Sequence, residues 1–346
     1  FIISSGTDSI LDLSTGDSLI VSYGAIANAT DISNFVATNV TANSGTANLT
    51  SSAGGSIIDV SNSTIGGYTL NGGLGVDLLT GGGQADTIFG NESNDILQGG
   101  LGPDILTGGD GNDDYLFSAA DIDVGESIVE LPNGGEDSVS MLTSVDFTNM
   151  PVSSFDEIEV IQFSGVDLTG TFTGSQLTDK SLLLAETMSG TSNLVINIGS
   201  AATSNFNNLA ASTFTSGTDT ITINGTSGDD IITGANLATS IIGGDGNDTI
   251  DGGAEADQLT GGSGNDIYLF ETDDVATGEA IHELVAGGQD TVAIVTSTDF
   301  QNMSKESFDR IEEVRFVGLD QTATFTSQQL NFEAITLTEI GFGRSN

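Results

Sequence analysis

The chain has 346 residues, with 49 Asp+Glu against 5 Lys+Arg, a formal charge of -44, 47 Gly, 1 His, no Cys and no Trp. The missing cysteines exclude a disulfide framework, a thiolate zinc site, an iron-sulfur cluster and a cysteine nucleophile, and a lone histidine leaves little for triads or imidazole metal sites. What remains is the chemistry of carboxylates and backbone carbonyls.

Hydrophobic residues make up 37% of the chain, lean for a globular core but too many for plain disorder. The first basic residue is Lys180, so residues 1–179 carry no basic side chain. Such a surface repels phosphate backbones and anionic head groups, which argues against nucleic-acid partners and against electrostatic membrane binding. Membrane insertion is not expected either, because no apolar run approaches the roughly 18–20 residues that span a bilayer. Cations are the natural partners. The chain opens at Phe1 without a charged segment and apolar stretch behind it, and it reads as part of a larger product.

In chain order, residues 1–71 form a Ser/Thr/Asn-rich lead-in with β-branched runs such as SLIVS. From Gly72 there follow five nonapeptides without gaps: GGLGVDLLT, GGGQADTIF, GNESNDILQ, GGLGPDILT and GGDGNDDYL, which place Asp at 77, 86, 95, 104 and 113. This first block occupies 72–117. Residues 118–177 carry short strand-like runs (SIVEL, SVSML, EVIQF), and 178–224 form a second Ser/Thr-rich lead-in containing NLVINI. A second block over 225–270 opens at Gly225 and places Asp at 230, 248, 257 and 266, with Thr239 interrupting the column. Residues 271–346 trail it. A shift of 153 residues superposes the two halves, and comparing 113–177 with 266–330 without a gap gives 34 identities in 65 positions. The chain therefore reads as two tandem copies of one module.

Each nonapeptide divides into a six-residue GGxGxD loop and a three-residue strand with one bulky apolar residue at its centre. That column is Leu79, Ile88, Leu97, Leu106 and Tyr115 in the first block and Ile232, Ile241, Ile250, Leu259 and Tyr268 in the second. Glycine lets successive loops turn sharply and aim carbonyl oxygens into one space, and Asp adds charge to that space. An all-oxygen ligand set suits a hard cation accepting six to eight flexible ligands, and Ca2+ fits better than Mg2+.

The pattern resembles the calcium-binding nonapeptide repeat of RTX (haemolysin-type) exoproteins. That resemblance implies an all-β fold of parallel β-roll blocks within an extended β-solenoid, with two nonapeptides per turn and Ca2+ between stacked loops. It implies metal roles for Asp77, Asp95 and Asp113 on one side of the first roll and Asp86 and Asp104 on the other. In the second roll it implies Asp230, Asp248 and Asp266 on one side, with Asp257 facing Thr239 across a defective site. About three ions per block are expected, the second block weaker by one. Asn91 and Ser93 replace loop glycines, Gln84 and Glu255 occupy the fourth loop position, and Pro103 precedes Asp104. Gln and Glu tolerate a left-handed backbone poorly, so strain is expected in the loops of Asp86 and Asp257.

Other constellations carry less. His282 corresponds to Val129 in the first copy and reads as a solvated or half-buried strand residue rather than a catalytic one. Asp121/Asp123, Asp273/Asp274 and Glu157/Glu159 offer paired carboxylates of the kind glycoside hydrolysis needs, but the chain lacks Trp and has only 4 Tyr for sugar stacking. Phe147, Phe155, Ile158, Ile161 and Phe163 match Phe300, Phe308, Ile311, Val314 and Phe316, as a packed core shared by both copies would. Whether that core belongs to further solenoid coils or to a small sandwich stays open.

The expectation is an extracellular, calcium-stabilised structural protein without enzymatic activity, exported by one-step type I secretion as RTX resemblance implies. Its composition resembles bacterial surface-layer (S-layer) and haemolysin-like structural surface proteins. Self-association into a lattice or filament is the expected partnership, with a cell-surface polysaccharide as a further candidate. The alternatives are an adhesin stalk or ligand-binding region, and the accessory region of a secreted polysaccharide-active enzyme.

Overall fold

The computed structural model describes residues 1–132, 134–200, 203–215, 218–285, 287–330 and 335–340. Parts of the three expected segments 118–177, 178–224 and 271–346 therefore lie outside the described residues. The chain divides into two units, 1–170 with 184–189, and 171–183 with 190–346. Each is a parallel β-solenoid.

In the first unit one seven-stranded sheet stacks Thr7–Ile10, Ile26–Ile32, Thr46–Ser51, Thr69–Gly73, Thr87–Glu92, Ile105–Asp110 and Ser127–Ile128. A second sheet stacks Asn34–Val36, Ile57–Asp59, Leu78–Thr80, Ile96–Gln98, Asp114–Phe117, Ser138–Met141 and Val160–Phe163, all parallel. From Ile26 to Met141 the chain visits the two sheets alternately. Leu79 pairs in register with Leu97 and Ile88 with Leu106, so one coil consumes two nonapeptides. Past the last nonapeptide the same columns continue with longer coils: Tyr115 pairs with Val139, Leu106 with Ile128 and Val139 with Ile161. The trailing segment is thus more solenoid, and its strands extend the sheets of the nonapeptides rather than forming a sandwich.

The second unit repeats this plan. Asn193–Asn197, Thr220–Asn224, Thr239–Asp245, Gln258–Ser263 and Ala280–Ile281 stack in one parallel sheet. Thr203–Asn205, Ile231–Thr233, Thr249–Asp251, Ile267–Phe270, Asp290–Ile294, Ile311–Phe316 and Thr336–Glu339 stack in the other.

Three-residue strands hold because their centres are fully covered. All ten members of the predicted apolar column, from Leu79 to Tyr115 and from Ile232 to Tyr268, are 0% exposed. Flanking residues point outward, as the two-residue period of a strand requires. The core widens in the trailing coils, where Phe147 makes edge-to-face contacts with Phe117 at 5.6 Å and Phe155 at 5.8 Å. Phe300 does the same with Phe270 at 5.2 Å and Phe308 at 5.7 Å, so the phenylalanines of the two units build equivalent packing.

Candidate metal centre

Each Asp of a nonapeptide ends its loop just before the strand begins, and parallel stacking puts it directly over its counterpart one coil away. The amide of Asp77 donates to Oδ1 of Asp95 at 2.7 Å, and that of Asp95 to Oδ1 of Asp113 at 2.6 Å. On the opposite edge the amide of Asp86 donates to Oδ1 of Asp104 at 2.7 Å. In the second unit Asp230 donates to Asp248 at 2.9 Å, and Asp248 to Asp266 at 2.8 Å. The two-sided arrangement implied by the resemblance is therefore the arrangement of the fold.

These bonds leave one oxygen of each carboxylate to account for. Asp95, Asp104, Asp113, Asp248, Asp257 and Asp266 are 0–1% exposed, and Oδ2 of each has no hydrogen-bond partner. Leaving a buried carboxylate oxygen unpaired is costly, which makes these atoms the strongest indication that a cation binds here. Asp77 likewise keeps Oδ1 unpaired. Asp86 and Asp230 differ. Asp86 accepts from the amides of Tyr68 and Gly82, both at 2.6 Å, and Oδ2 of Asp230 accepts from the amide of Thr226 at 2.7 Å and its hydroxyl at 2.8 Å.

The first glycine of each nonapeptide frames the space. A Cβ on Gly90 would overlap Oδ2 of Asp95 and lie 2.7 Å from the carbonyl oxygen of Gly108, and one on Gly243 would overlap Oδ2 of Asp248 and lie 2.7 Å from that of Gly261. A carboxylate and the next coil's carbonyl thus converge where glycine has no side chain. The donors are all oxygen, the set a Ca2+ ion takes.

The loop departures are only partly strained. Asn91 and Ser93 adopt φ of 80° and 81°, and Glu255 adopts 76°. Gln84 has no positive φ, because its loop follows a different path, and the strain expected around Asp86 does not arise at that residue.

The ladders also run past the nonapeptides. Asp104 donates to Oε2 of Glu126 at 2.8 Å, Asp113 to Oδ1 of Asp137 at 2.8 Å, and Asp137 to Oε2 of Glu159 at 2.7 Å. Asp257 donates to Oε2 of Glu279 at 2.7 Å, Asp266 to Oδ1 of Asp290 at 2.9 Å, and Asp290 to Oε2 of Glu312 at 2.7 Å. Glu126 and Glu279 are 0% and 2% exposed, each with an unpaired Oε1. Thr239 donates its amide to Oδ1 of Asp257 at 2.7 Å and offers no carboxylate, as expected, but Glu279 supplies one on the other side of Asp257. Sequence reasoning missed these glutamates because their coils are 22 residues long instead of 18. The available signal was their identity at the 153-residue shift.

Burial, with neighbouring carboxylates adding to it, pushes Asp95 up to about 7, Asp104 up to about 8 and Glu126 up to about 9. Asp257 rises to about 9 through burial and the nearby Glu279, and Glu279 to about 8 chiefly through burial. A divalent cation among these groups inverts that preference and favours the charged forms.

The remaining predicted features lie apart from the ladders or inside them. His282 is exposed, with Nε2 2.9 Å from Oε1 of Gln258. Asp121 accepts from the amide of Ser118 at 2.8 Å and Asp123 from that of Gly102 at 3.0 Å, while Glu159 is a rung of the first ladder.

A parallel β-solenoid with stacked, buried, cation-seeking carboxylates defines a class of calcium-binding fold. Within that class, segments 69–97, 89–121, 215–236 and 238–268 match the RTX calcium-binding nonapeptide repeat, and the chain is an RTX-repeat protein whose repeats bind Ca2+. Comparison with curated proteins and with solved structures gave no match.

Proposed function

We propose that this protein is a secreted structural component of the bacterial cell surface, an S-layer or extracellular filament, that orders and assembles when it meets calcium. The observation that carries this reading is the set of buried carboxylate oxygens without partners, Asp95, Asp104 and Asp113 in one roll and Asp248, Asp257 and Asp266 in the other. At a formal charge of -44 the metal-free chain repels itself, and cation binding becomes folding free energy. Extracellular calcium modules work at roughly 10⁻⁴–10⁻³ M, so a chain of this kind stays open in a low-calcium cytosol and closes after export. Quasi-one-dimensional coils expose stackable edges suited to further association, and a structural role needs no catalytic residue.

Electron microscopy of the full chain with chelator and with millimolar calcium tests the proposal. Ordered sheets or filaments that form with calcium and dissolve in chelator support it. Dispersed particles under both conditions contradict the assembly role.

A further inference from the structure

The geometry points to a second kind of Ca2+ site closing each roll, built by the last nonapeptide Asp and two carboxylates of the trailing coil: Asp113, Glu130 and Asp137 in one, and Asp266, Glu283 and Asp290 in the other. It rests on the calcium reading of the repeats. One oxygen from each of the three side chains lies within 4.8 Å of the others in both clusters.

An acidic cluster alone is weak ground, but each cluster here also holds a buried, unpaired carboxylate oxygen, although both oxygens of Glu130 accept amides from Gly108, Gly109 and Leu131. Asp113 and Asp266 are 1% and 0% exposed, and Oδ2 of each lacks a hydrogen-bond partner, as does Oε2 of Glu283. The surrounding backbone converges on the same space. A Cβ on Gly287 would lie 2.9 Å from Oε2 of Glu283, 3.1 Å from the carbonyl oxygen of Gly262 and 3.3 Å from Oδ2 of Asp290. A Cβ on Gly108 would overlap Oδ2 of Asp113 and lie 2.6 Å from both Oε1 of Glu130 and the hydroxyl of Tyr115. Among the described residues no Lys or Arg forms an ion pair with these six carboxylates; Lys305 pairs with Glu306 and Arg315 with Glu313.

Three carboxylates and a glycine carbonyl give a hard, all-oxygen set that suits Ca2+. The energetics favour a cation as well. Negative charges held within 4.8 Å of one another repel, and a divalent cation among them turns that repulsion into attraction. The cluster joins the last GGxGxD loop to a coil that has none, so the bound ion pins the trailing coil onto the roll.

A tyrosine reports on each site. The hydroxyl of Tyr268 accepts from the amide of Gly261 at 2.6 Å and donates to Oε1 of Glu283, and the hydroxyl of Tyr115 accepts from the amide of Gly108 at 2.6 Å. With no Trp in the chain, tyrosine alone sensitises bound Tb3+.

The test measures calcium stoichiometry by equilibrium dialysis and tyrosine-sensitised Tb3+ emission for the full wild-type chain and the Glu130→Gln/Glu283→Gln double variant. Glutamine keeps a hydrogen-bond acceptor while removing the charge. The expected result is one tightly held ion fewer per roll, with affinity at those sites weakened by at least about tenfold, and reduced emission. Wild-type stoichiometry and emission in the double variant overturn the closing site while leaving the repeat sites standing; a wild-type chain that binds no calcium overturns both. A Tyr115→Phe/Tyr268→Phe variant guards against a folding defect: its ion count should be unchanged while emission falls, and undiminished emission would place the metal elsewhere.

Discussion

Asp95 and Asp113 stand one coil apart, the amide of the first donating to Oδ1 of the second at 2.6 Å, and each keeps a buried, unpaired Oδ2. One carboxylate oxygen therefore holds the coil register and the other faces the cation space. Register and metal binding are two uses of one side chain.

Asparagine substitution separates these uses, because it keeps an acceptor for the backbone amide and removes the charge. Asp95→Asn should weaken calcium binding more than Asp86→Asn, since Asp95 has stacked Asp neighbours at 77 and 113 and an unpaired oxygen, while both oxygens of Asp86 already accept amides. Calorimetric titration of the two variants checks this. Equal losses would contradict the ladder geometry.

Glycine at the first loop position should be needed for space alone. Gly90→Ala places a methyl against Oδ2 of Asp95 and the carbonyl of Gly108 and should destabilise the calcium-loaded protein by about 1–3 kcal/mol. Gly54→Ala, whose Cβ meets nothing within 4 Å, should change stability by less than about 0.5 kcal/mol. Thermal unfolding in saturating calcium measures the difference.

Acid should partly replace calcium. Asp95, Asp104, Glu126 and Asp257 are raised to between about 7 and about 9, so they bind protons more tightly folded than unfolded. Their contribution to metal-free stability is full below the unfolded carboxylate range and is lost as pH rises through the raised values. In chelator the melting temperature should fall between pH 5 and pH 9. Calcium affinity should rise over the same window, because binding expels protons. A metal-free melting temperature that rises with pH would contradict the burial of these groups.

His282→Ala should leave the calcium-induced transition unchanged, since the ring is exposed and its described polar neighbour is Gln258. Circular dichroism during calcium titration of the variant measures this, and a shifted midpoint would give the side chain a part in folding.

The repeat made much of this legible. A nine-residue spacing of Asp and of one apolar residue, as in Asp77/Leu79 and Asp86/Ile88, is enough to deduce a one-residue-deep core, and the resemblance to RTX repeats implies the alternating sheets and the two-sided ladder. Beyond Asp113 the period breaks while the fold does not. Val139 still sits in register with Tyr115, and Glu126 still receives the amide of Asp104, but coils of 22 and 24 residues hide both from a search for nines. Glutamate also substitutes there for aspartate, its longer side chain reaching the same amide from a displaced backbone. Gln84 shows the opposite limit: the sequence gives its loop position, but only the backbone path shows that no left-handed turn is required.

The most direct test of the central claim is circular dichroism and thermal unfolding of the full chain, first in excess chelator and then through a calcium titration. A cooperative gain of β-type signal and a rise in melting temperature as calcium is added are predicted. A chelated chain with the same spectrum and melting temperature as the calcium-loaded one would show that the unpaired carboxylates of Asp95, Asp104, Asp113, Asp248, Asp257 and Asp266 need no cation, contradicting the account.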